Sequence, residues 1–305
     1  MEFGSAGVFD MLSLAVFRSV GKIDMTVINT NTGSLYAQQA MTTNARGLST
    51  VMQQLSTGKR INNAVDDVAG MAISTRLTSQ IRGLNQAVRN TNDGISLIQT
   101  AEGATEQVTN MLQRMRELAV QASNDTNNTN DRSYLDLEFQ ALSTQIGVIA
   151  NNTQWNGTNV MDGTSRGSGS GVFSFQVGAN SGQTIMVTLS NMTTTSGTGK
   201  LSAITSNAIT STAAAGSALG SIITALDTVA LERSGMGAAI SRLQFTADNL
   251  ATVSAKAQES RSRIEDTDYS IATTELAKRN IIQQAAQAML AQANQAPQMV
   301  LQLLK

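Results

Sequence analysis

The chain contains no histidine and no cysteine in 305 residues. That removes at one stroke the zinc sites built on those ligands, cysteine nucleophiles, Ser-His-Asp triads and disulfides. A protein working outside the cell usually gains from disulfides, so their absence points either to an interior location or to stability supplied by assembly. A single proline, Pro297, lets helices run long without kinks or forced stops. Aromatic residues make up 4% and charged residues 14% of the chain, so its core must be built from small and branched side chains rather than rings. The formal net charge is −1; with no basic run there is no electrostatic footprint for nucleic acid. No uninterrupted apolar run approaches the ~18–20 residues that cross a bilayer, and no membrane insertion is expected. The apolar patch at residues 8–17 is broken by Asp10 and lacks a basic leader and a small-residue cleavage site, so a secretory signal peptide is not expected.

What is present falls into three zones. Residues 25–150 and 213–305 are rich in helix formers with apolar residues at three and four spacing, whereas 157–212 is rich in Gly, Ser and Thr. In the first arm Leu77, Ile81, Leu84, Val88, Thr91, Ile95 and Ile98 trace a coiled-coil seam. In the second, Ile222, Val229, Met236, Leu243, Leu250 and Ala257 recur every seven residues, with Leu219, Leu226, Ile240 and Ala247 expected at the other seam position. The two seams can bury each other. Residues 109–121 and 134–150 read as two shorter helices parted by a polar stretch, which makes a helical hairpin. In the middle zone Phe173, Phe175 and Val177 alternate with polar residues, Gly178 to Gly182 supplies a turn, and Ile185, Val187 and Leu189 alternate again, predicting a β-hairpin over about 172–190. The tract 193–212 is expected to be loop or irregular surface, too polar for a core. The predicted fold is mainly α: a long antiparallel coiled-coil or helical bundle from the N- and C-terminal arms, with a small β-hairpin region in the middle.

No catalytic, cofactor-binding or metal-binding residues are expected. Gly58-Lys59 lacks the two-glycine frame and preceding strand of a phosphate loop. It reads instead as a break between helices, with Gly58 ending one and Asn62, Asn63 and the Asp66-Asp67 pair favouring the start of the next. Asp66 and Asp67, or Glu265, Asp266 and Asp268, could be offered as paired acids for glycoside hydrolysis, but they come without stacking aromatics and read more plainly as solvated carboxylates near helix ends. Arg261, Arg263, Glu265 and Asp268 read as a salt-bridged polar collar.

Several motifs, in order along the chain, resemble one family. They are Met25 to Asn31 (MTVINTN), Leu55 to Asn63 (LSTGKRINN), Asp66 to Ile73 (DDVAGMAI), Leu112 to Gln121 (LQRMRELAVQ), Thr153 to Gly157 (TQWNG), Gln176 to Asn180 (QVGAN), Ser262 to Tyr269 (SRIEDTDY) and the tail Leu290 to Gln298 (LAQANQAPQ). Together they resemble bacterial flagellin, in a short form with minimal or absent outer variable domains. The resemblance implies that residues 25–69 and 262–305 pair as the inner-tube helices of a filament, and that 70–261 form a surrounding rod domain. It further implies termini that are disordered in the monomer and fold on packing against neighbours, so that binding energy is folding energy. The expected polymerisation core is Leu48, Val51, Leu55, Ile281, Ile282, Ala285, Met289, Val300, Leu301 and Leu304; the alternative for these residues is an ordinary intramolecular bundle.

The same resemblance implies secretion through the flagellar type III export channel and an extracellular place in the filament. The partners it implies are other copies of the chain, an export chaperone, and the filament cap and hook-associated proteins. It also implies recognition in animals by Toll-like receptor five through Gln113, Arg114, Leu118 and Glu138, and by cytosolic immune sensors through Leu301, Leu303 and Leu304. Residues 1–24 depart from the family pattern, which begins at what is Met25 here; a vector-derived leader or a misassigned start codon is the expected origin. Two other functions stay open. A hook–filament junction protein shares the terminal helices, and a surface adhesin would use Trp155 and the Asn-rich middle, Trp155 otherwise packing under the hairpin.

Overall fold

The computed structural model describes residues 30–164, 171–195 and 199–303, with side chains up to 295. They fall into two units, one of residues 69–264 and one of 30–68 with 265–303.

The larger unit is built on two long helices, α2 (Val68–Ala122) and α5 (Thr212–Glu265), and the shorter α3 (Thr129–Asn152). Here α1 denotes Thr32–Thr57 and α6 Tyr269–Leu303, both in the other unit. Side-chain bonds from Arg261 to Thr78 (3.3 Å) and from Ser254 to Asn85 (2.8 Å) show α2 and α5 running antiparallel. The segment 109–121 is not a helix of its own, because α2 continues through it unbroken to Ala122. Nothing in the sequence there stops a helix, and Val108, Leu112, Met115 and Leu118 carry the seam onward, all buried. The helical hairpin itself is present. At its corner Arg132 Nε and Asn127 Nδ2 donate to the carbonyls of Ala122 (2.9 Å) and Gln121 (2.6 Å), satisfying the end of α2. Asn128 and Asp131 then form a reciprocal capping box that starts α3.

On α5 the seven-residue row Ile222, Val229, Met236, Leu243 and Leu250 is buried. The companion row differs from expectation: Ala218, Ala225 and Ala239 are buried, while Leu219, Leu226 and Ile240 lie beside them, half-buried against the same core. Alanine lets the helices approach closely, and the larger side chains spread to the edge of the seam. By length and composition α5 could cross a membrane, with an 18-residue stretch of mean hydropathy 1.5. Ser, Thr and Gly punctuate the stretch, so it forms no uninterrupted apolar run, and its seam packs into the hydrophobic core of the larger unit.

The chain then makes two small hairpins. β1 (Gln154–Trp155) and β2 (Thr158–Asn159) are antiparallel, and Asn156 and Gly157 join them at φ 48° and 72°, the left-handed pair of a two-residue turn. β3 (Val172–Gln176) and β4 (Thr184–Thr188) form the hairpin predicted over 172–190, with Phe173 opposite Val187 and Phe175 opposite Ile185 on the core face. Ser174 opposite Met186 faces out. Two glycines on α2 receive this hairpin. The Phe175 ring lies 3.0–3.1 Å from where a β-carbon of Gly94 would stand, and Ala179 Cβ lies 2.9 Å from the equivalent point at Gly83. Asn90 Nδ2 donates to the Gln176 carbonyl (3.1 Å) between them.

The tract expected to be loop or irregular surface is mostly loop, but it is not all surface, because several of its apolar residues enter the core. Leu201, Ile204 and Ile209 are fully buried, as is Met192 just before it, and Ser202–Thr205 forms a short helix, α4. These apolar residues follow no helix or strand period, because the segment wraps over the bundle and buries whichever residues its path brings inward. Glu232 anchors the start of this path from a seam-facing position on α5, accepting from the Ser190 amide (2.8 Å) and pairing with Lys200 (3.7 Å).

Candidate assembly and recognition surfaces

In the smaller unit, α1 and α6 pack side by side and antiparallel. Asn31 caps α1 by accepting from the Ser34 amide (3.0 Å), and its amide nitrogen donates to the Ala293 carbonyl (2.7 Å). Gly58 ends α1 at φ 71°. From there two segments of the chain exchange backbone bonds, Arg60 N–H to Glu265 O (2.6 Å) and Thr267 N–H to Gly58 O (2.9 Å), while Lys59 pairs with Glu265 (2.5 Å). Tyr269 adds a bond from its hydroxyl to the Leu55 carbonyl (3.1 Å). Asp66 differs from expectation: its carboxylate closes the loop by accepting from the Asn62 and Asn63 amides (3.0 and 2.9 Å) rather than capping a helix. Asp268, expected as a carboxylate near a helix end, accepts from the Ser270 amide (2.8 Å) at the start of α6. Of the expected collar, Arg263 pairs with Glu259 (2.7 Å).

The expected polymerisation positions divide into two groups. Val51 is buried and Leu48 and Leu55 half-buried in the α1–α6 seam. Ile281, Ile282, Ala285 and Met289 lie exposed on α6. Val300 and Leu301, with Leu303, fall in the part of α6 described by its backbone helix alone, and Leu304 lies outside the described residues, as do residues 1–29. Further exposed apolar residues join the second group: Leu35 (56% exposed), Tyr36 (74%), Met52 and Ile271. Their signal in the sequence is an apolar residue off the seam of an amphipathic helix.

In the larger unit Gln113 and Arg114 stand exposed on α2. Arg114 reaches Glu138 on α3 (2.9 Å) and Glu117 one turn along (3.0 Å). Glu138 first and Glu117 second hold the guanidinium in its charged form and raise its pKa. Leu118 is separated from these three: it is 1% exposed and packs in the core with Met115 and Phe139. A shallow groove lined by Arg116, Glu117, Val120 and Leu226 runs beside Gln113. Trp155 is half-buried against the core. Among the described residues no group of three or more acidic side chains could hold a metal ion.

The bacterial flagellin N-terminal helical region matches residues 28–166, and the bacterial flagellin C-terminal helical region matches residues 219–304. The chain belongs to the bacterial flagellin family. It is 45% identical to a flagellin of Halalkalibacterium halodurans over 92% of this chain and 100% of that one. Flagellin B of Vibrio cholerae is 45% identical over 54% of this chain, and B-type flagellin of Pseudomonas aeruginosa is 47% identical over 54%; those matches span 43% and 33% of the longer relatives. A Bacillus cereus flagellin crystal structure aligns over 53% of this chain and 88% of its own at 31% identity, with a TM-score of 0.46. Flagellins are structural proteins, and membership makes this chain a structural subunit of the flagellar filament type. The matched regions contain α1, α2, α3 and α6 and most of α5; what lies between them is the hairpin and the wrapping tract.

Proposed function

We propose that the chain is exported by the flagellar type III system with the help of an export chaperone, and polymerises outside the cell through α1 and α6, beneath the cap and beyond the hook-associated proteins. The observation that carries this reading is the apolar surface of the smaller unit. Tyr36, Ile281 and Met289 are 74%, 67% and 64% exposed on a pair of helices with little core of its own. Two helices that leave such residues in water gain their stability when neighbouring copies cover them. Val51, Leu48 and Leu55 then hold the two helices together, while Ile281, Ile282, Ala285 and Met289 face other copies; Val300, Leu301 and Leu304 are the further members of the polymerisation core.

In animal hosts the monomer presents Gln113, Arg114 and Glu138 to Toll-like receptor five. Leu118 supports that face from beneath, and its burial leaves the polar trio as the contacting groups. Leu301, Leu303 and Leu304 are the segment offered to cytosolic sensors.

Negative-stain microscopy after seeding, or after adding a precipitating salt, tests the assembly reading. Long helical filaments are expected from the intact chain and none from a chain lacking residues 283–305. Discrete particles from both chains would turn the reading toward a junction protein.

A further inference from the structure

The seam between α1 and α6 carries almost no information about alignment, except in one layer. The positions of α6 turned toward α1 carry Ala272, Arg279, Ala286 and Ala293 in one seven-residue row and Leu276, Gln283 and Leu290 in the other, each buried or half-buried. Sliding α6 by one heptad would put alanine where alanine was and leucine where leucine was, everywhere but at Arg279 and Gln283. On α1 the facing rows are Ala37, Asn44 and Val51, and Met41, Leu48 and Leu55. Asn44, only 6% exposed, is the polar member, and it meets the polar layer of α6. Its amide nitrogen donates to the Arg279 carbonyl (2.9 Å) and to Gln283 Oε1 (3.0 Å). Beside it the Arg279 guanidinium lies across Gly47, where a β-carbon would overlap it, and pairs with Glu275 one turn back (2.9 Å).

We infer that Asn44, Arg279 and Gln283 set the register in which the two terminal helices pair, with Gly47 as the notch that receives the arginine. A slip of one heptad would set Asn44 against Leu276 or Leu290 in place of Gln283, and would carry Arg279 from Gly47 to Ala40 or Gln54, whose side chains occupy the notch. A backbone carbonyl accepts a bond in any register, and the arginine tip over Gly47 can swing aside, so discrimination rests first on the Asn44–Gln283 side-chain bond and only secondarily on the glycine. A polar residue in an otherwise apolar seam fixes alignment because misalignment leaves it buried without a partner. The bonds from Asn31 to Ala293 and from Tyr269 to Leu55, and the backbone bridge of Arg60 with Glu265 and Thr267 with Gly58, mark the same offset; the bridge anchors the base of the pair, and the polar layer holds it along the helices. The inference concerns pairing within one chain and stands apart from the assembly reading.

The absence of cysteine makes the test direct. A β-carbon at 33 would lie 3.9 Å from Ala293 Cβ, within disulfide reach, so Gly33→Cys with Ala293→Cys reports the observed register. Gly33→Cys with Ala286→Cys reports a slip of one heptad. In the full-length chain under assembly conditions the 33–293 bridge should exceed the 33–286 bridge by about tenfold or more. Asn44→Leu combined with Arg279→Ala and Gln283→Leu should bring the two within about threefold. Gln283→Leu alone should give an intermediate ratio at unchanged helix content, and is the readout if the triple variant does not fold. A parent chain that forms both bridges equally, or neither, would overturn the inference, as would variants that keep the parent ratio. Negative stain of the same samples scores filament formation separately, so that loss of register and loss of assembly are told apart.

Discussion

Ile204→Ala asks whether the tract 192–209 is core or covering. Ile204 is fully buried, among Leu201, Ile209 and Met192, which are buried too. The substitution removes Cγ1, Cγ2 and Cδ1 from this cluster. At about 0.8 kcal/mol per buried methylene, with a term for a cavity that collapses only in part, the expected loss is about 3 kcal/mol. With a urea dependence of about 2 kcal/mol/M, the midpoint should fall by about 1.5 M. Trp155 is the only tryptophan and packs against the core of the larger unit. Its fluorescence therefore follows that unit without interference from α1 and α6. Met186→Ala serves as the control, since Met186 is 65% exposed on the outer face of the second hairpin and should shift the midpoint by no more than about 0.3 M. If Ile204→Ala shifts it no further than this control, the tract does not pack as described and the reasoning fails.

Gly94→Val should push Phe175 off α2 and cost about 1–3 kcal/mol, read in the same urea experiment; an unchanged midpoint would show that the hairpin docks without that notch. Glu232→Ala leaves the Ser190 amide without its acceptor and should cost about 1–3 kcal/mol, with Glu232→Gln recovering part of the loss. Burial by itself raises the Asp162 carboxyl, but bonds from the Thr164 hydroxyl and amide and from Asn159 outweigh it and hold the pKa below the ordinary value. The stabilisation from a depressed carboxyl is fully present above the unfolded pKa of about 3.9 and is lost as pH falls through the folded value. Asp162→Asn should accordingly flatten the fall in stability below about pH 4, and urea midpoints that fall as steeply as the parent's would contradict this. Arg114→Ala removes an exposed side chain and should shift the urea midpoint no further than the Met186→Ala control does. It should still lower receptor activation by the monomer in a reporter-cell assay; full activation would remove Arg114 from the contact.

The heptad row of α5, the alternation in the second hairpin and the glycine that ends α1 were legible because each is a local property. Residue spacing states which face of an element is apolar, and a left-handed cap needs glycine whatever surrounds it. The first hairpin was also written plainly, in Asn156-Gly157, but its strands are too short for a periodic reading to find. Motif order and composition were enough to point to the family. What the chain could not state locally is which of two adjacent faces a partner will cover. Ala218 and Ala225, rather than Leu219 and Leu226, are the fully covered residues because the packing of the whole unit, not local spacing, sets which face is closed. Leu201, Ile204 and Ile209 are core because a strap of no fixed period happens to cross the bundle there. Leu118 and Arg114 share a motif, yet one is buried in the core and the other lies at the surface, bonded to Glu138. Gly47 and Gly94 look alike in sequence, and only the tertiary structure shows one receiving an arginine and the other a phenylalanine. Burial and partner geometry depend on residues distant in the chain, so pattern determined the elements of this protein and packing decided their surfaces.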